Sequence, residues 1–205
     1  GAGITHAEIE DGKVADHTGG LLRKVASGIA YRAVRNHGTI GGSVALADPA
    51  ADWPCCLVAL DASLRIVGRN GVRVESVAEF VRGPYDTSLT PGDIIMGFDV
   101  PSPPGRMRWG FAKVARKSGA FADSIAIATM HGKDGPASVT LGAAGPRPHQ
   151  LLNVAKLLVA SPAPEEELRT AVATDVNVHL PDADAYEKRM HTANVLRAIR
   201  NMKAQ

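Results

Sequence analysis

Cysteine is nearly missing from this sequence: of 205 residues only two are cysteine, and they are adjacent, Cys55 and Cys56. Neighbouring cysteines rarely bridge to one another, and two thiols cannot supply the four ligands of an iron–sulfur cluster. They are expected to pack as small apolar side chains on a helix. Nothing here asks for an oxidising compartment, so a cytoplasmic setting is expected. No apolar run approaches the roughly 20 residues that span a bilayer, and no secretory leader is expected. The first residue is Gly1 rather than Met, as in a processed or partial chain. There is no basic run either. The 23 lysines and arginines are scattered among 21 acids for a net charge of +2, which gives nucleic-acid binding little support. The 7 histidines contain neither a His-x-His nor a His-Glu-x-x-His spacing, which argues against a metal site. No Gly-x-Ser-x-Gly elbow for a serine hydrolase occurs, and internal repeats and low-complexity tracts are absent.

What is present reads as a soluble, globular chain: 45% hydrophobic and 21% charged, long enough for one domain or two small ones. Thr5-His-Ala-Glu8 has the form of a capping box and predicts a short helix. Leu21, Leu22, Val25 and Ile29 recur at helical spacing and predict a helix over about 20–33. Asp48-Pro49 has the form of an N-cap and first helical position, predicting a helix through Cys55 towards Leu60. Segments 63–67 and 72–75 flank Asn70-Gly71 and predict a hairpin. Ser76-Val-Ala-Glu79 is a second capping-box pattern, and 94–100 reads as a strand. Pro101-Ser-Pro-Pro-Gly105 interrupts the pattern and marks an expected boundary. Beyond it, strands are expected at 107–115, 124–130 and 138–143, and helices at 150–159, 165–176 and 183–202.

The most informative stretch is residues 35–54, Arg-Asn-His-Gly-Thr-Ile-Gly-Gly-Ser-Val-Ala-Leu-Ala-Asp-Pro-Ala-Ala-Asp-Trp-Pro. It sets Gly38, Gly41 and Gly42 and the hydroxyls of Thr39 and Ser43 ahead of Asp48 and Asp52. Glycines let a backbone turn sharply and approach a ligand closely. Backbone N–H groups exposed in such a turn form a nest for an anion such as a phosphate. A carboxylate a few residues on can accept hydrogen bonds from sugar-type hydroxyls. By physics alone this is a candidate nucleotide or dinucleotide loop; an ordinary Gly-rich turn before a helix has the same composition.

Residues 34–54 resemble the signature of the FAD-binding (medium) subunit of molybdenum hydroxylases, the family of aerobic carbon monoxide dehydrogenase and xanthine dehydrogenase. There, Val-Arg-Asn-x-Gly-Thr-Ile-Gly-Gly-Asn is followed by Asp-Pro-x-x-Asp-x-Pro. Ser43 stands where the family usually has Asn. Phe111-Ala-Lys-Val-Ala-Arg-Lys117, Ala126-Ile-Ala, Tyr186-Glu-Lys-Arg-Met and Val195-Leu-Arg-Ala are similar to the family's last subdomain, so the likeness runs over nearly the whole chain.

The resemblance implies an α+β fold. Residues 1–100 would form the middle FAD-binding α/β subdomain, 101–105 a linker, and 106–205 a C-terminal subdomain of a small antiparallel sheet with helices. It implies FAD as cofactor, with Thr39, Ile40, Gly41, Gly42 and Ser43 as the second FAD loop and Asp52 holding a hydroxyl of the FAD chain. Asp48 is equally suited to capping a helix. Ile29 would lie against the flavin, or equally pack in the core. Ile95 would touch it through its backbone, or be a plain strand residue. Lys113 would sit near the ring, where a cation favours the anionic reduced flavin, or point to solvent. Partners implied are a small iron–sulfur subunit carrying [2Fe–2S] clusters and a large molybdopterin subunit, with electrons passing through FAD to an external acceptor. Relatives also carry an N-terminal part with a first Gly-rich FAD loop, which this sequence does not contain. Two alternatives stay open: a truncated, cofactor-free interaction or scaffold module of such a complex, and an unrelated sugar- or nucleotide-binding domain.

Overall fold

The first helix, α1 (His6–Glu10), begins where the capping box predicts: the Thr5 side chain accepts the Glu8 N–H and the Glu8 carboxylate returns to the Thr5 N–H at 2.8 Å. This computed structural model describes residues 1–102, 105–132, 135–160 and 163–204. Pro103 and Pro104 of the expected linker lie outside them.

The helix expected over 20–33 is broken in two. Helix α2 (Leu21–Ser27) closes at Gly28, and α3 (Arg32–Arg35) follows after a turn in which Ala30 has a φ of 44°. A left-handed residue cannot continue a right-handed helix, so the apolar stripe ends early despite Ile29 keeping its spacing. The Gly-rich stretch is itself helical: α4 (Ile40–Leu46) has Thr39 as N-cap and takes Gly41 and Gly42 into its first turn. Asp48 does not cap the next helix. It closes a turn by accepting the Ala50 N–H at 2.8 Å and the Tyr85 hydroxyl at 3.1 Å, and α5 (Asp52–Ala59) starts later, after Ala51. Pro54 sits in the first turn of α5, where a missing N–H costs nothing.

The Asn70-Gly71 hairpin forms as expected between β1 (Ser63–Gly68) and β2 (Gly71–Ser76), with Gly71 at φ 98°. Ser76 caps α6 (Val77–Phe80). Strands β3 (Val81–Gly83) and β4 (Asp86–Thr87) make a small ribbon without a clear pattern of their own, and β5 (Ile94–Asp99) returns to pair with β1. The first sheet is therefore antiparallel, in the order β2-β1-β5.

The second sheet runs β6 (Met107–Val114), β7 (Ser124–His131), β8 (Ala137–Gly142) and β9 (His149–Gln150), antiparallel throughout. Two-residue β9 takes Gln150, which the sequence reading gave to a helix. The helix itself, α7 (Leu152–Ala160), starts later because its cap comes from elsewhere: the buried Asp175 carboxylate accepts the N–H groups of Asn153 at 3.0 Å and Val154 at 3.1 Å. Asp175 lies on α8 (Glu165–His179); α9 (Ala185–Lys203), opened by an Asp184–Glu187 capping box, completes the chain.

Strand alternation divides the interior. Met107, Ile125 and Ile127 face a cluster built from Leu21, Val25, Trp53, Leu57, Leu64 and Phe80. Ala112, Ala126, Ala128 and Met130 face a second one with Leu151, Val172, Val195 and Ile199. Each large side chain fully buried in these clusters contributes roughly 1.5–3 kcal/mol. Cys55 and Cys56 are free thiols buried on α5, packed as small apolar groups, with burial pushing both upward in pKa. Among the described residues no helix is long and apolar enough to cross a membrane.

Candidate functional site

The start of α4 is shaped by the first residues of the chain. Ile40 donates to the Ile4 carbonyl at 3.1 Å and Gly41 to the Ala2 carbonyl at 2.9 Å, while Ala2 donates to the Met96 carbonyl on β5 at 2.9 Å. Thr5 and Thr39 form an isolated bridge. Each glycine has its own reason. A Cβ on Gly41 would come within 2.5 Å of the Ala2 Cβ, and one on Gly38 within 2.9 Å of the His6 ring. Gly42 is different: it is exposed, and a Cβ there would meet only the Thr39 hydroxyl at 3.0 Å.

The amide donors of this turn are already engaged. Gly42 donates to Thr39 Oγ1 at 3.0 Å and Ser43 to the Thr39 carbonyl at 3.1 Å, beside the Ile40 and Gly41 bonds above. The turn is thus a capped helix start rather than an open nest of N–H groups. Outward it offers the bare face of Gly42, with Ser43 beside it partly exposed. Beneath it His6 is buried, accepting the Trp53 indole N–H at its Nδ1 at 3.0 Å. Burial, then the charge of Arg35, keeps the pKa of His6 below its ordinary value and the ring neutral.

A second group forms around Asp52 and Lys113. The Lys113 ammonium, on β6, donates to Asp52 Oδ2 at 2.8 Å and to the Gly28 carbonyl at 3.4 Å. Their side chains are only 11% and 5% exposed, so the pair is screened little by water. Burial raises the Asp52 pKa above the usual carboxylate range, and Lys113 offsets part of that rise. The other oxygen, Asp52 Oδ1, is buried and has no hydrogen-bond partner among the described residues. A carboxylate oxygen in this state is suited to accept a hydroxyl from a ligand. Two residues that the sequence suggested separately, an acid and a cation, thus meet as one ion pair.

Ile29, next to Gly28, is partly buried and packs on the first cluster. Ile95 puts its side chain into the same cluster and pairs with Ile66, leaving its backbone for any outward contact. Sequence reading gave no role to Arg35, whose guanidinium donates to the Ile29 and Ala30 carbonyls at 2.8 Å each, nor to its carboxylate partner Glu10. Arg35 stood in the motif in plain view, but Glu10 lies 25 residues away and nothing local connects them. Two exposed aromatics, Tyr31 and Phe121, flank the same region on segments joined by the Ala30 N–H to Gly119 carbonyl bond of 2.9 Å.

Residues 1–103 match the family model described as the FAD binding domain in molybdopterin dehydrogenase. The carbon monoxide dehydrogenase medium chain of Afipia carboxidovorans is 29% identical over 193 residues, 90% of this chain and 67% of the relative. The nicotine 6-hydroxylase medium subunit of Paenarthrobacter nicotinovorans is 38% identical over 121 residues, covering 58% of this chain and 41% of its own length. In three dimensions, quinoline 2-oxidoreductase from Pseudomonas putida 86 superposes with a TM-score of 0.86 at 32% identity, over 100% of this chain and 74% of that one. A carbon monoxide dehydrogenase chain from Hydrogenophaga pseudoflava superposes at 0.90 with 25% identity and the same coverages, 100% and 74%. With the motif helix, the antiparallel sheets and both halves of the chain matched together, this protein belongs to the FAD-binding domain family of molybdopterin dehydrogenases.

Proposed function

We propose that this chain is the flavin-carrying medium component of a molybdenum hydroxylase, working with a small iron–sulfur subunit and a large molybdopterin subunit. The observation that carries the reading is the buried Lys113–Asp52 pair with its unpartnered Oδ1, found in a chain of the FAD-binding family. The residues present fit FAD on two counts: an orphaned carboxylate oxygen for a hydroxyl donor, and an exposed glycine face at Gly42 for close backbone approach. When bound, FAD supplies the redox chemistry that links [2Fe–2S] clusters of the partner to an external acceptor.

The chain's own residues do the rest. Thr39, Ile40, Gly41, Gly42 and Ser43 present the capped helix start against which the cofactor would lie. Asp52 holds Lys113 and offers Oδ1 to a hydroxyl. Lys113, desolvated and with two of its three protons engaged among the described residues, sets a fixed positive charge beside Gly28 and Ile29. A fixed cation in a poorly screened place favours whichever form of a neighbouring group carries more negative charge. Ile29 and Ile95 contribute apolar and backbone contacts. Residues 1–100 would serve as the FAD-binding subdomain and 106–205 as the C-terminal one, with 101–105 between; the family match ending at 103 supports that division. A cytoplasmic location is in keeping with the two free cysteines.

The test is direct. The purified chain is incubated with excess FAD, freed of unbound ligand by gel filtration, and its visible spectrum recorded beside that of Asp52→Asn. Retained flavin absorption is expected for the native chain, with affinity about tenfold weaker in the variant, roughly the loss of one good polar contact. A native chain that retains no flavin counts against the reading; equal flavin content in both proteins counts against the role of Asp52.

A further inference from the structure

The turn between α2 and α3 holds three consecutive carbonyl oxygens, Gly28, Ile29 and Ala30, and all three accept from buried or half-buried cations. Gly28 accepts from Lys113 at 3.4 Å; Ile29 and Ala30 both accept from the same terminal nitrogen of Arg35 at 2.8 Å. The far side of the Arg35 guanidinium is occupied by Glu10, through Nε at 2.8 Å and Nη2 at 3.0 Å. Arg35 is 12% exposed and Glu10 21%. Glu10 is in turn held by Arg32 at 2.9 Å, and Arg32 also grips Asp11 through two bonds of 2.7 Å.

We propose that Arg35, anchored by Glu10, is a positioning residue for the flavin site: it fixes the turn 28–31 and so the Gly28 carbonyl that orients Lys113. The inference rests on the reading of Asp52, Lys113 and Ile29 as the flavin-facing group. Three observations support it. Only a planar fork with five donors can serve a carboxylate on one side and two carbonyls on the other; a lysine in this position cannot. The turn needs holding, because Ala30 sits at a φ of 44°, a conformation that costs a residue with a Cβ of the order of 1 kcal/mol or more. The held turn is also wedged from its other side: the Ala30 N–H donates to the Gly119 carbonyl at 2.9 Å, and a Cβ on Gly119 would lie 2.6 Å from the Ala30 carbonyl. The turn is therefore held from both sides, and Lys113 meets it through the Gly28 carbonyl. Arg35 also contributes positive charge near His6, so it supports the floor of the motif helix in its neutral state.

The test compares the full chain with Arg35→Gln, Arg35→Lys and Glu10→Gln. FAD affinity is read by quenching of flavin fluorescence, the bound-flavin environment by the visible spectrum, and order in the turn by amide exchange at Ile29, Ala30 and Tyr31. Arg35→Gln and Glu10→Gln are expected to weaken FAD binding about tenfold and to speed exchange at Ala30 by about tenfold or more, with core amides on β7 unchanged. Arg35→Lys, which keeps the charge, is expected to follow Arg35→Gln rather than the native chain. Native FAD affinity, spectrum and Ala30 exchange in Arg35→Gln would overturn the proposal. So would exchange that accelerates evenly throughout the chain, since that marks a general loss of stability. If the native chain binds no flavin, the reading of the site fails, and the clamp is judged by Ala30 exchange alone: unchanged exchange overturns it.

Discussion

Lys113 and Asp52 make the energetic stakes of the site plain at the scale of single residues. Two charges 2.8 Å apart and almost out of water are each costly alone. Lys113→Met should leave Asp52 buried without its cation and lower stability by about 3 kcal/mol, read as the urea unfolding midpoint. The double variant with Asp52→Asn should recover most of that loss, and a Lys113→Met chain as stable as the native one would contradict the pairing. His149 offers a second residue-scale test. Its ring stacks on His179 with centroids 4.7 Å apart, and burial followed by the nearby His179 charge lowers its pKa to about 4, with Arg147 adding to the effect. An unfolded histidine titrates near 6.5, so as pH falls below that value the unfolded chain takes up a proton that native His149 refuses. Stability from this group is complete above the ordinary histidine range and drains away as pH falls towards about 4. Urea midpoints measured across that window should fall more steeply for the native chain than for His149→Gln; parallel curves would remove His149 from the account.

At the scale of elements, β6 passes close under α9. Gly110 has no room for a side chain: a Cβ there would lie 1.8 Å from the Ala198 carbonyl and 2.6 Å from the Met202 nitrogen, both helix backbone. Gly110→Ala should push α9 off the sheet and cost about 3 kcal/mol, visible in chemical denaturation; a neutral result would mean that the helix shifts freely. The polar bonds under the same helix resist such a shift, with His191 Nδ1 2.9 Å from Ser124 Oγ and Asn194 donating to the Ala112 carbonyl at 3.2 Å. What the sequence made legible at this scale was local. The Thr5–Glu8 box, the Asn70-Gly71 hairpin and the period of α8 and α9 each reside within a few neighbouring residues. The errors came where a distant group decides the outcome. The chain leaves α2 at Ala30, whose N–H is taken by the Gly119 carbonyl from a distant segment, and α7 starts at Leu152 because Asp175, 22 residues on, caps its Asn153 N–H. The site divides in the same way. Thr39 to Ser43, Asp52 and Lys113 could be named as candidates from motif resemblance, whereas the Asp52–Lys113 bond spans 61 residues and only the fold reveals it.

Over the whole molecule, β6 and β7 act as a shared wall between the two hydrophobic clusters, with alternate residues serving each side. Neither cluster can lose that wall alone. Thermal unfolding followed by tryptophan fluorescence, from Trp53 buried in the first cluster and Trp109 packed against it, should therefore coincide with the loss of helical circular dichroism, much of it from α8 and α9. Two separated transitions would show that the halves unfold independently. The clasp of the first residues across α4 and β5 has a further bearing, on protein engineering. The Gly-rich motif looks in sequence like a self-contained cassette, yet the Ile40 and Gly41 donors close on the Ile4 and Ala2 carbonyls, and Gly38 fits against His6. Grafted alone into another scaffold, residues 36–47 would arrive with bare donors and glycines facing nothing. The transferable unit is a composite: the motif, the segment 1–6 that moulds it, and Trp53, whose indole holds His6 in place.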